Sequence, residues 1–168
     1  MAINFPVVLT LHSPDETAAL ARCIAPLLRG GDTILLCGDI GAGKTHFARA
    51  LIQHRQASIG PVEDVPSPTF TLVQTYEVDD DSIWHADLYR LSSEDEIEEL
   101  GLRDAFDNAI CLIEWPERLD RLRPPNPIEF IFQTSDKPNE RTLILRTDAA
   151  RWQALLPAIA AFQTGQHA

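Results

Sequence analysis

Gly38-Asp39-Ile40-Gly41-Ala42-Gly43-Lys44-Thr45 fits the phosphate-loop pattern G-x-x-x-x-G-K-[ST] and decides how the rest of the chain is read. Before it, Thr33-Ile34-Leu35-Leu36-Cys37 is a short apolar, partly β-branched run that reads as a buried strand. After it, His46-Phe47-Ala48-Arg49-Ala50-Leu51-Ile52 carries apolar residues at helical spacing. A strand feeding a glycine loop that opens a helix is the context triphosphate binding requires. The glycines let backbone N–H groups turn inward onto phosphate, and the helix start adds the positive end of its dipole. Lys44 is then expected to reach the β- and γ-phosphates of ATP, and the Thr45 hydroxyl to ligate Mg²⁺. Taken alone, the pattern also fits a glycine-rich turn with a surface lysine; the flanking strand and helix favour the phosphate loop.

Working outward, the N-terminal Pro6-Val7-Val8-Leu9-Thr10-Leu11 reads as a strand. Ser13-Pro14-Asp15-Glu16 opens a helix with a serine cap, proline at the first helical position and acids in the first turn. That helix runs through Leu20, Ile24 and Leu27-Leu28 and stops near Gly30-Gly31. Past the loop helix, the breaker-rich stretch from Ser58 to Pro68 fits an idle connection, but a loop this long in so small a domain is more often functional. Thr69 to Val78 reads as a strand, Asp79-Asp80-Asp81-Ser82 as a turn, and Ile83 to Tyr89 as the returning arm. Period two puts His85, Asp87 and Tyr89 on one face. Ser92 to Leu100 is an acidic capped helix ending at Gly101, and its charges read as a solvated face. Ala109 to Glu114 is an apolar strand ending in a carboxylate. After Pro124-Pro125-Asn126-Pro127, a second hairpin pairs Ile128–Gln133 with Arg141–Thr147. Asp148 is placed to cap a last helix through Trp152, Leu155-Leu156 and Ile159, with Gln163 to Ala168 as a frayed tail.

The fold class expected is α/β: a phosphate-loop NTPase-like three-layer domain, residues 1–168, with a mixed central sheet flanked by helices. Lys and Arg total 14 against 25 Asp and Glu, a net charge of −11, which argues against a broad nucleic-acid footprint. The first residues lack the basic start of a signal peptide, and no apolar run is long enough to span a membrane. Cys23, Cys37 and Cys111 sit among apolar neighbours without C-x-x-C spacing, so they read as buried small hydrophobes in a cytoplasmic protein.

Phosphate-loop enzymes need a carboxylate at the end of a neighbouring strand to hold the Mg²⁺ shell or orient water, and Asp87 and Glu114 both qualify. Glu114 also fits an exposed strand-end acid, and Asp87 a hairpin carboxylate paired with Arg90 or His85. His85 by itself reads as a hydrogen-bonded structural residue, and a zinc site has no ligand cluster to support it.

GDIGAGKT (38–45), SPTFTLV (67–73), HADLYRL (85–91) and IEWPERL (113–119), in this order and spacing, resemble the bacterial TsaE (YjeE) family from about Leu11 to Arg146. The resemblance implies a small ATPase needed to form the N6-threonylcarbamoyl group on adenosine beside the tRNA anticodon. It implies action on a complex of TsaD, which transfers the group, and its paralogue TsaB, with tRNA met only through that complex; TsaC makes the activated donor. It also implies roles for residues. Lys44 serves the phosphates and Thr45 the Mg²⁺, Asp87 is essential for hydrolysis near the metal, and Glu114 is the Walker-B carboxylate. Ser67-Pro68-Thr69 resembles a switch that senses the γ-phosphate, and Glu16 and Arg141 match positions near the adenosine. Trp115, beside Glu114, reads as packing. His46 departs from the Thr or Ser that usually follows the loop threonine, so an α-phosphate contact there is expected to be altered. Two rivals stay open: a small-molecule kinase, with Arg118, Arg121 and Arg123 imitating a lid, and a nucleotide-gated binding module without useful turnover.

Overall fold

The computed structural model describes residues 4–166. Its seven-stranded sheet has the order β1-β7-β6-β2-β5-β4-β3. The strands are β1 (Val7–Leu11), β2 (Thr33–Cys37), β3 (Val73–Val78), β4 (Asp81–Asp87), β5 (Ile110–Glu114), β6 (Ile128–Thr134) and β7 (Arg141–Arg146). β2 is central and parallel to both β5 and β6, and β5 is parallel to β4. The outer pairs β3/β4, β6/β7 and β1/β7 are antiparallel, so the sheet is mixed. The α/β architecture with a mixed sheet is the one expected.

Strand burial explains the apolar runs. Ile34, Leu35 and Leu36 of β2 and Ile110 through Ile113 of β5 are fully buried, because helices cover both faces. On one face lie α1 (Pro14–Ile24), α2 (Lys44–Ala57) and α5 (Leu156–Gln166), packing Leu20, Ile24, Phe47, Leu51 and Ile159 onto Ile34, Leu36 and Phe130. On the other, α3 (Glu94–Glu99), α4 (Leu102–Asn108) and a 3₁₀ segment at Pro116–Leu122 bring Ile97, Leu102, Phe106 and Leu119 against Leu35, Ala86 and Ile113. Ser13 caps α1, its hydroxyl accepting from Glu16 N at 3.2 Å, a contact of about 1 kcal/mol. Phe47, one turn into α2, packs its ring 5.1 Å from Phe130 and 5.9 Å from Phe132. Burying that ring contributes about 1.5–3 kcal/mol and fixes α2 to the sheet directly behind the glycine loop.

Several sequence expectations change. Thr69-Phe70-Thr71-Leu72 is a turn rather than strand: Leu72 has φ 71 and donates its N–H to Pro68 O at 2.7 Å, which closes the chain before β3 begins. β4 ends at Asp87, so Tyr89 leaves the strand face that His85 and Asp87 share. The first hairpin turn is only Asp79-Asp80, with Asp81 and Ser82 already in β4. Asp148 does not cap the last helical segment. Ala149 occupies the cap position with its N–H given to Thr147 Oγ1, and Arg151 anchors the segment through two bonds to the Asp32 carboxylate. Residues 163–166 are helical, with Gln166 Nε2 donating to Thr10 O; 167 and 168 lie outside the described residues. α4 and the 116–122 segment had no counterpart in the sequence reading.

Cys23 is also exposed, because the buried arc of α1 runs through Thr17, Ala18, Leu20, Ala21 and Ile24 and leaves it on the far side. Cys37 is half-buried and Cys111 fully buried, and burial pushes both thiols up to about 12. From 9.0, that shift lowers the thiolate fraction near neutral pH about a thousandfold. Native protein at pH 8 should therefore react with a thiol-specific disulfide reagent at one site, Cys23, and at all three in urea. Rapid native labelling at Cys111 would contradict the packing described.

Candidate functional site

The site lies at the C-terminal ends of β2, β4 and β5, where connections diverge to either side of the sheet. Gly38 leaves β2 with φ 140, and a Cβ there would sit 2.6 Å from Phe132 O. Only glycine allows that approach to β6. Gly43, at φ 113, takes the cap position of α2, and Phe47 N donates to its carbonyl at 3.0 Å. Between them run Asp39, Ile40, Gly41 and Ala42, with Ile40 exposed and Ala42 buried.

The loop opens onto a cleft of about 490 Å³ lined by Lys44, Thr45, Ser67, Thr69, Asp87, Tyr89, Glu114 and Trp115 among others. Lys44 is 5% exposed; its ammonium donates to Gly38 O and to Asp39 O, and lies 3.9 Å from the centre of the Trp115 ring. Burial pushes its pKa below the ordinary lysine value, while Glu114, Glu117, Asp87 and Asp39 pull it back up. Trp115 reaches this place because it adopts φ 59 directly after β5, a left-handed conformation that costs a non-glycine residue about 1–2 kcal/mol. The strained turn folds the ring over the cleft and against Tyr89, 4.8 Å between ring centres. Trp115 is therefore part of the cleft wall as well as packing.

Asp87 and Glu114 are register partners on neighbouring parallel strands and share a face. Both are buried, Glu114 to 3% exposure, so Glu114 is not the exposed strand-end acid that the sequence left open. Thr45 Oγ1 lies 2.9 and 3.0 Å from the two Glu114 oxygens, and His85 Nε2 lies 2.6 Å from Oε2. Asp87 accepts from Tyr89 N at 2.9 Å and from Thr69 Oγ1 at 3.2 Å. Arg90 faces the Phe70 ring instead of Asp87. Ser67 joins the same chain of contacts, its hydroxyl 2.8 Å from Thr69 Oγ1. Lys44, Thr45, Thr69, Asp87 and Glu114 thus converge on one cleft.

The remaining candidates form its shoulder. A second pocket of about 230 Å³ is bounded by Pro14, Thr17, Gly41, Ala42, Gly43, His46, Asn139 and Arg141. His46 Nε2 bonds Pro14 O at 2.9 Å, which ties the start of α2 to the start of α1. Arg141 donates to Ala42 O at 3.0 Å and Gly41 O at 3.2 Å, and also to Pro138 O and Glu140 O. It clamps the glycine loop to the β6–β7 hairpin. The Glu16 carboxylate is engaged on another side, accepting from His12 N and Gln166 Nε2. Asn139 was missed by sequence reasoning, since a turn asparagine carries no distinguishing signal. The arginines proposed as a lid are drawn apart: Arg121 pairs with Glu94 and Arg123 with Glu129.

The family model described as "Threonylcarbamoyl adenosine biosynthesis protein TsaE" matches residues 11–143. A Rickettsia felis protein named tRNA threonylcarbamoyladenosine biosynthesis protein TsaE is 41% identical, over 85% of this chain and 81% of its own. Namesakes from Haemophilus influenzae and Bacillus subtilis are 36% and 32% identical, each over 85% of this chain and over 93% and 87% of theirs. The crystal structure of Bacillus subtilis YdiB superposes with a TM-score of 0.72 at 23% identity, over 96% of this chain and 97% of that one, which shows a shared fold.

The Arg141 clamp yields a test. Arg141→Ala removes two bonds that hold loop carbonyls outward, each worth about 0.5–1.5 kcal/mol. Affinity for an ATP analogue should fall about tenfold in calorimetric titration, with the chain still folded. Parent-like affinity would mean that the loop holds its shape without the clamp.

Proposed function

The chain belongs to the TsaE family of threonylcarbamoyl adenosine biosynthesis proteins, and on that premise we propose that it hydrolyses ATP to drive a TsaB–TsaD complex in tRNA modification. The observation that carries this reading is the convergence of Lys44, Thr45, Asp87 and Glu114 on one cleft beside the glycine loop. The donor set fits a magnesium nucleotide. Mg²⁺ takes one or two carboxylates and leaves its other positions to phosphate oxygens and water, and here a hydroxyl and two carboxylates stand together. Bound as the nucleotide's counter-ion, it would neutralise charge developing on the transferred phosphoryl group.

The chain's own residues then take defined parts. Lys44 exchanges Gly38 O and Asp39 O for phosphate oxygens, a move of its flexible end alone. Thr45 would offer its oxygen to the cation while its hydroxyl donates to Glu114. Glu114 and Asp87 would hold water and the cation shell from two rigid strands. Thr69, within reach of Asp87, couples the Ser67–Leu72 turn to the hydrolytic carboxylate. The pocket between α1 and the β6–β7 turn is the space for the adenosine, with His46 bound to Pro14 O in place of the usual hydroxyl. Contact with tRNA is left to the partner complex, because a chain of net charge −11 repels a polyanion.

Lys44→Ala should lose tight ATP binding, at least about tenfold, in a folded protein. Asp87→Ala and Glu114→Ala should keep nucleotide and lose turnover by about 100-fold or more, measured as phosphate release. Parent-rate hydrolysis by either carboxylate variant would remove that residue from the mechanism. Phosphate release by the parent should be slow alone and rise about tenfold or more with TsaB–TsaD present, and Thr69→Ala should blunt the rise. Equal rates with partner, without partner and in Thr69→Ala would dispose of partner gating.

A further inference from the structure

Among the described residues, His85 is the one completely buried imidazole near the cleft, and the proposed hydrolysis gives it no task. It lies on β4, opposite Leu112 of β5, and its ring reaches the carboxylate of Glu114, two residues further along that strand. Its Nε2 is 2.6 Å from Glu114 Oε2, while its Nδ1 is buried with no hydrogen-bond partner. Those two facts fix the tautomer. A proton on Nδ1 would strand a buried N–H, at a cost of about 1–3 kcal/mol, and set a bare Nε2 lone pair against a carboxylate oxygen. A proton on Nε2 meets Glu114 directly.

The other contact to Glu114 is of a different kind. Thr45 has one hydroxyl proton for two carboxylate oxygens at nearly equal distance, so it can swing between them and can also turn toward a ligand. His85 has one donor, one acceptor oxygen and no exposure to water. It is the contact that persists when Thr45 moves.

Resting on the role proposed for Glu114, we infer that His85 is a positioning residue: its Nε2–H pins Oε2 of Glu114 and leaves Oε1 to face the cleft. The imidazole touches neither nucleotide nor water. It supplies the rigid support a working carboxylate requires, and loss of such support in comparable sites lowers activity about 10- to 100-fold. An apolar filler of the same cavity would keep the sheet packed and release the carboxylate.

Two measurements separate these roles. Nitrogen-15 NMR of the imidazole in nucleotide-free protein should show a protonated Nε2 and a bare Nδ1, with the Nε2 signal moved in Glu114→Gln. A bare Nε2, or a signal indifferent to Glu114→Gln, overturns the inference even if the enzyme is active. In kinetics, His85→Leu should lose about 10- to 100-fold in turnover with ATP affinity within about twofold of the parent, and His85→Gln, which restores a donor, should recover most of the loss. Equal turnover in the Leu and Gln variants would make His85 a filler and overturn it. A parent protein without turnover would count against the ATPase reading, while the NMR measurement still decides the hydrogen bond.

Discussion

Two carboxylates held nearly out of water at the ends of adjacent strands are the constraint on which the site depends. Asp87 and Glu114 face the same way in register, inside a chain already carrying a net charge of −11. Burying a carboxylate costs several kcal/mol unless hydrogen bonds and cations compensate. Here Asp87 takes Tyr89 N and Thr69, Glu114 takes Thr45 and His85, and Lys44 lies close enough to feel both charges. Lys44 is itself held by carbonyls of the loop, so one monovalent cation serves two anions. The electrostatic deficit that remains supports the proposal of a divalent cation in this cleft.

The central parallel strands and the loop between β2 and α2 could be read from the chain because their signals are local. Ile34 to Leu36 and Ile110 to Ile113 are covered on both faces and so are apolar without alternation. The glycines of the loop stand where the backbone takes positive φ or passes too close to a neighbour for a side chain. The candidate carboxylates were readable too: Glu114 ends an apolar run, and Asp87 falls at the end of the returning hairpin arm. That these residues gather in one cleft required the sheet order, which no local pattern contains.

What escaped the sequence was set by contacts remote along the chain. Thr69 to Leu72 has strand composition, yet Leu72 takes φ 71 and gives its N–H back to Pro68 O at 2.7 Å, which closes a turn where the β3/β4 ladder ends. The cap expected from Asp148 yielded to Arg151, whose bidentate pair with Asp32 reaches across the core from the end of the chain to the start of β2. Cys23 looked buried because its neighbours are apolar, but the helical arc, not adjacency, decides exposure. The pairing of His85 with Glu114 was hidden in the same way, since it depends on β4 and β5 being neighbours.

The long connection after α2 divides into two pieces. Its first piece is fixed to α2: Arg49 Nε donates to Val65 O at 2.9 Å, Gln53 Nε2 to Glu63 O at 3.1 Å, and Glu63 N to Gln56 Oε1 at 3.2 Å. Val65 is buried. Beyond Pro66 the chain turns outward, with Phe70 82% exposed and the side-chain link to the sheet carried by Thr69 on Asp87. The far end is tied as well, where Leu72 O accepts from Asp87 N at 2.9 Å as β3 begins, so Thr69 sits in a short turn braced on both sides. The sequence pointed only to a long loop rich in proline and glycine. The division into a half tied to α2 and a half tied to β4 follows from where Arg49, Gln53 and Gln56 fall along α2 and from the bond between Asp87 N and Leu72 O.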